Sequence, residues 1–216
     1  QWVPLNRLRT IQATSFDPAQ NHYARYLVDG AESLDRFYAL HRPQNQMEAI
    51  FLFGNDQGGR FSPGPPAPLE APWESLDTKR KSALTDSPWF GPVSTSRFER
   101  EISRLDAAYR SIVTHGFVMR EGGDNLRYEV FLLDEGEEEI DFRCVVRGGN
   151  HRIAVLAALG WTIIPLVPMP TMVREIRWSD AQHWPRVLDG TFSIDAARAY
   201  FKAFFRDNRA QLLTGW

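Results

Sequence analysis

Five consecutive residues, Gly148-Gly149-Asn150-His151-Arg152, concentrate the groups in this chain best suited to hold a charged ligand. Two glycines supply backbone freedom for a tight turn, and an Ala/Leu/Val/Ile-rich stretch follows them at once. The first N–H groups of a helix lack intrahelical partners and sit at the positive end of its dipole, so such a corner can bind phosphate. His151 and Arg152 add side-chain donors there, Arg152 with a planar fork that matches phosphate oxygens. The plainer alternative is a turn whose His and Arg merely cap or solvate a helix end. A second pair, Glu101 and Arg104, stands three residues apart and so shares one face of a helix. Either it is a surface ion pair or one member works on a substrate. Cys144 is the only thiol, and it lies in an alternating apolar run where packing is its simplest role.

These residues need elements to position them. Residues 142–167 (FRCVVRGGNHRIAVLAALGWTIIPLV) read as strand, Gly turn, helix and strand, with Asn150 as cap of the helix. Arg127 to Leu133 and Ile140 to Val146 form a hairpin around the acidic run 134–139, which reads as a solvated turn. Ahead of it a helix spans Arg97 to His115, closed by Gly116. Ser96 or Thr95 caps it, with Glu99 as capping-box partner of Ser96, and Ile102, Leu105, Ala108, Tyr109 and Ile112 face the core. Helical pieces are expected at 21–27 and 33–40, a Gly/Pro-rich loop at 54–72, and a bridging segment at 73–89 pinned by its two tryptophans. Beyond Pro168, residues 174–178 are ambiguous between strand and helix. Residues 180–188 suggest a short helix interrupted at Pro185. Ser193 caps a final helix whose stripe of Ile194, Ala197, Phe201, Phe204 and Phe205 serves the core or a homodimer face.

Composition bounds the rest. The 216 residues are 43% hydrophobic and 24% charged, an ordinary globular balance, and no apolar run is long enough to span a membrane. A net charge of −2 argues against general nucleic-acid binding. One Cys rules out an internal disulfide framework and suits a reducing, cytoplasmic setting, while five scattered His residues give no zinc spacing. The chain opens at Gln1 rather than Met, which leaves room for a segment removed before it.

The Gly-Gly-Asn-His-Arg turn resembles the phosphate corner of the ParB/sulfiredoxin superfamily. Sulfiredoxins carry GGCHR there, free serine kinases GHHR and ParB proteins GERR, so residues 147–152 (RGGNHR) are most similar to the first two. The order of elements is similar too: a helix ending Ser111-Ile112-Val113-Thr114-His115-Gly116, a hairpin, the turn, an Ala-rich helix, Gly160 and a strand ending in Pro and Val. The likeness covers residues 92–168, about a third of the chain. Asn150 stands where sulfiredoxin has its catalytic Cys, so sulfinic-acid reduction is not expected.

The resemblance implies an α+β (mixed α/β) fold: a small sheet-and-helix core at 90–170, an extension at 1–89 and a helical extension at 171–216, both extensions mostly helical. It implies ATP or another nucleoside triphosphate, with Mg²⁺, held by Arg147, Gly148, Gly149, Asn150, His151 and Arg152 together with Ser94 and Thr95. It places the acceptor side at Ser94 to Arg104, which makes Glu101, Arg104 and His151 the catalytic candidates. Three functions stay open: a kinase acting on a small-molecule or glycan hydroxyl, a non-catalytic nucleotide sensor, and a CTP-dependent DNA-associated switch. The last is weakened by the absence of a basic region. Fold alone does not choose among them.

Overall fold

The computed structural model describes residues 1–43, 71–74, 86–119, 126–136, 140–169 and 175–206. Almost all of the Gly/Pro-rich loop and the end of the acidic run lie outside them. The chain is α+β, as its patterning implies. Strands β1 (Trp2–Pro4) and β2 (Leu8–Arg9) come first, then helices α1 (His22–Asp29), α2 (Ala31–Leu40) and α3 (Thr95–His115). The hairpin β3 (Arg127–Leu133) and β4 (Asp141–Gly148) follows, leading into α4 (Asn150–Ala158). After β5 (Ile163–Pro165), β6 (Val167–Pro168) and β7 (Glu175–Arg177) come α5 (Pro185–Leu188) and α6 (Ile194–Lys202).

Strands β2, β4, β3 and β6 lie side by side in that order, and β7 joins the same edge of β3 as β6. The hairpin is antiparallel, with Val130 opposite Cys144 and Leu133 opposite Asp141, whereas β2 runs parallel to β4 with Leu8 opposite Cys144. Strand β1 pairs separately and antiparallel with β5. The expectation of a mostly helical first segment misses two strands, and the ambiguous stretch near residue 175 is strand β7. Such two- and three-residue strands are too short to show a period of two.

Because side chains alternate across a strand, β4 serves two cores. Cys144 and Val146 face a cluster containing Leu8, Tyr23, Leu34, Leu105 and Ile153 from the first strands and from α1 to α4. Val145 and, from β3, Phe131 face the opposite cluster of Trp178, Trp184, Tyr200, Phe201 and Phe204. Trp73 crosses to that second side, its ring centroid 4.8 Å from Phe131 and 5.3 Å from Trp184. Phe201 of α6 and Phe204 in the turn that follows it are buried in this second core.

Helix ends correct three local expectations. Ser94, not Thr95 or Ser96, caps α3, its Oγ accepting from the Arg97 N–H at 3.2 Å, and Glu99 is exposed beyond the first turn. Asp86 fixes this arrangement by accepting from both the N–H and the hydroxyl of Ser94. Tyr109 is 40% exposed, and the inward register of α3 is taken by Glu101, Leu105 and Ile112. At α4 the N-cap is Gly149 rather than Asn150, with no side-chain capping bond. Pro185 opens α5 instead of interrupting a helix, because its fixed φ suits a first turn.

Candidate functional site

The turn before α4 depends on one glycine more than on the other. Strand β4 runs through Gly148, while Gly149 alone adopts the left-handed conformation at φ 87°. A Cβ on Gly149 would stand 2.3 Å from the Leu126 side chain, and the Arg152 Nη2 lies 3.4 Å from that same point. The Arg152 guanidinium therefore hangs over the turn. Asn150 becomes the first helical residue, its Oδ1 buried without a hydrogen-bond partner. Helices α1, α3 and α6 begin under Asn21, Ser94 and Ser193 respectively, whereas α4, like α2, opens on a glycine without a capping side chain.

Beside this uncapped turn stands a buried carboxylate. Glu101 has no accessible surface, and its Oε2 accepts from the Tyr23 hydroxyl at 2.9 Å and from His151 Nε2 at 2.7 Å. Its Oε1 has no hydrogen bond but lies 3.4 Å from Arg97 Nη1 and 3.9 Å from Arg104 Nη1. Burial pushes the Glu101 pKa upward, yet the bond and charge of His151, the Tyr23 hydroxyl and Arg97 together hold it below the usual carboxylate value. An ionised carboxylate only accepts hydrogen bonds, so Nε2 carries a proton, and in the uncharged form of the ring Nδ1 carries the lone pair. The imidazole is clamped further by the Tyr23 ring, with centroids 4.4 Å apart. His151 remains 22% exposed, and its Nδ1 makes no hydrogen bond to any described residue. A fixed carboxylate behind a partly exposed imidazole holds the ring in one orientation beside the turn.

The other candidates divide. Arg104 is 58% exposed and sits at the edge of the Glu101 cluster. The Ser94 hydroxyl is committed to Asp86 and to its own helix, and Thr95 is exposed beside it. Arg147 is not brought to the corner. It projects from the opposite sheet face, donating to Glu74 at 2.7 Å and pairing with buried Glu129 at 3.3 Å. Burial raises the Glu129 pKa while Arg147 pulls it down. Cys144 is buried, and burial pushes its thiol up to about 12, so it carries no thiolate near neutrality.

Tyr23 and Arg97 are site residues that the sequence did not single out. Arg97 was legible as the i−4 neighbour of Glu101. Tyr23 carried no signal, since its bond to Glu101 spans 78 positions. It nevertheless belongs to a related cluster: Tyr38 from α2 and His22 from α1 both reach the Pro88 carbonyl, at 3.0 and 3.1 Å, as does Tyr23 at 3.0 Å.

Among the described residues no group of three His, Cys, Asp or Glu side chains could hold a metal ion. The expected Mg²⁺ has no such protein ligand set behind it there, whereas the uncapped turn with Arg152 above it fits phosphate oxygens. No helix among the described residues is long and apolar enough to cross a membrane. No family model, curated protein or solved structure matches the chain.

Proposed function

We propose that the chain is a nucleotide-dependent phosphotransferase whose nucleotide phosphates lie at the turn of Gly148, Gly149, Asn150, His151 and Arg152, and whose acceptor is a small-molecule or glycan hydroxyl. The observation that carries this reading is the Glu101–His151 bond at the uncapped first turn of α4. A helix end alone would suggest only anion binding. An oriented imidazole beside it adds a group that can meet the reacting phosphoryl or its acceptor. Arg152 holds phosphate charge, Asn150 presents a buried acceptor oxygen, and Glu101 positions His151 from a place no substrate reaches. The second reading, a nucleotide sensor without turnover, is favoured by the lack of an acidic metal cluster among the described residues.

The test is binding first. ATP, CTP and GTP, each with and without Mg²⁺, are titrated calorimetrically and by thermal shift. A nucleotide at about 100 times its Kd adds about 2.7 kcal/mol of stability. Arg152→Ala is expected to abolish this while the protein stays folded. Affinity unchanged in that variant removes the nucleotide from this turn.

A further inference from the structure

The geometry at His151 points to a covalent step, and we infer that the phosphoryl group passes through His151 Nδ1 as a phosphohistidine before it reaches the acceptor. The inference rests on the phosphotransferase reading above.

Three observations support it. First, the carboxylate that the described residues bring to the corner, Glu101, has no accessible surface and so cannot serve the acceptor hydroxyl directly. Second, the proton of His151 is fixed on Nε2 by the 2.7 Å bond to Glu101, which leaves the Nδ1 lone pair as the open nucleophile at the turn. Third, the ring cannot turn away easily, held as it is between that bond and the Tyr23 ring. A nucleophile needs a directed lone pair, and orientation of this kind supplies much of the rate advantage of an enclosed reaction.

In the first half-reaction the Nδ1 lone pair attacks the terminal phosphorus of the nucleoside triphosphate. An N–P bond forms, the bridging P–O bond breaks, and its electron pair departs on the nucleoside diphosphate. The ring then carries positive charge shared with Nε2–H, which the ionised Glu101 neutralises. In the second half the acceptor hydroxyl attacks the same phosphorus and the N–P bond breaks. Its electron pair returns to Nδ1, and the hydroxyl proton passes to water. Nothing is oxidised or reduced.

The experiment omits the acceptor. Wild-type protein is mixed with γ-³²P-labelled ATP, CTP or GTP and Mg²⁺, quenched at short times, and assayed for acid-labile, base-stable label. In parallel, exchange between labelled nucleoside diphosphate and unlabelled triphosphate is followed. The expected result is label on the peptide carrying His151 and exchange without acceptor. His151→Gln should lose both, and Glu101→Gln should slow labelling by about a hundredfold or more, the lower end of what a positioned acid–base group contributes, with nucleotide affinity retained. Binding without label or exchange in the wild-type protein overturns the covalent step and leaves the phosphotransferase reading standing. Label that persists in His151→Gln overturns the assignment to His151. Absence of nucleotide binding overturns both. Because exchange is read on the wild-type chain, a variant that fails to fold does not rescue the inference.

Discussion

Glu101 shows what one residue's placement decides. Its partner Arg104 was visible three positions away, but the partner that matters is His151, 50 positions on, which no spacing rule could supply. The signal that was present is subtler: Glu101 occupies the inward register of α3 with Leu105 and Ile112, a carboxylate where periodicity asks for a hydrophobe. A charge in that register must be paired inside, and here it is. His22 makes a different statement. Burial, its largest influence, lowers its pKa from 6.5 to about 3 against the Pro88 carbonyl, which raises it. An unfolded His binds its proton near the ordinary value. As pH falls below about 6.5 the unfolded state takes up a proton that the folded state refuses until about 3, so stability is complete above that window and declines through it, at up to ~1.4 kcal/mol per pH unit. Melting temperatures measured from about pH 6.5 down to about 5, where ordinary carboxylates stay ionised, should fall in the wild-type protein. In His22→Gln, which keeps a donor for Pro88, the slope should flatten. Equal slopes in the two proteins would place the acid sensitivity elsewhere.

At the scale of elements, the order strand, turn, helix around residue 149 was readable, though not its cap, as were α1, the hairpin and α6 in outline, because each carries its own period and punctuation. What the sequence could not separate was the two glycines. Gly148 sits in extended strand with the Arg127 Cβ 3.8 Å from where its own Cβ would stand, so Gly148→Ala should fold normally. Gly149 is left-handed and pressed against Leu126. Gly149→Ala should cost about 1–3 kcal/mol from the conformation alone, more if Leu126 cannot yield, and should weaken nucleotide binding at least tenfold by displacing Arg152. Denaturant melts and calorimetry on the two variants check the contrast. Similar behaviour of both would mean that the turn is not the one described.

Across the whole molecule, the site is assembled from α1, α3 and α4: Tyr23 from the first, Glu101 and Arg97 from the second, His151 and Arg152 from the third. The first residues are therefore part of the core and not an appendage. Leu8 is fully buried between sheet and helices, and Leu8→Ala should destabilise the chain by about 2–5 kcal/mol, measured by denaturant unfolding. A loss below about 1 kcal/mol, the size of an average point change, would mean that β2 is peripheral. The pairing of β2 with β4 was invisible for the same reason that it matters: two residues carry no pattern, and their partner lies most of the chain away.

That pairing also sets an order of events at the ribosome. Leu8 and Arg9 are made well before the strand they lie against, around Cys144 and Val145, which emerges only after α1, α2 and α3 have been synthesised. The opening strands must wait as solvated chain, and the sheet zips from its middle outward, hairpin first, because local pairing costs less loop-closure entropy than distant pairing. His151 follows the hairpin directly, so the imidazole reaches Glu101 at about the time β2 finds its place. A nascent chain released before that point carries a carboxylate with no imidazole to answer it, and the buried Glu101–His151 pair closes only once the start of α4 has been made.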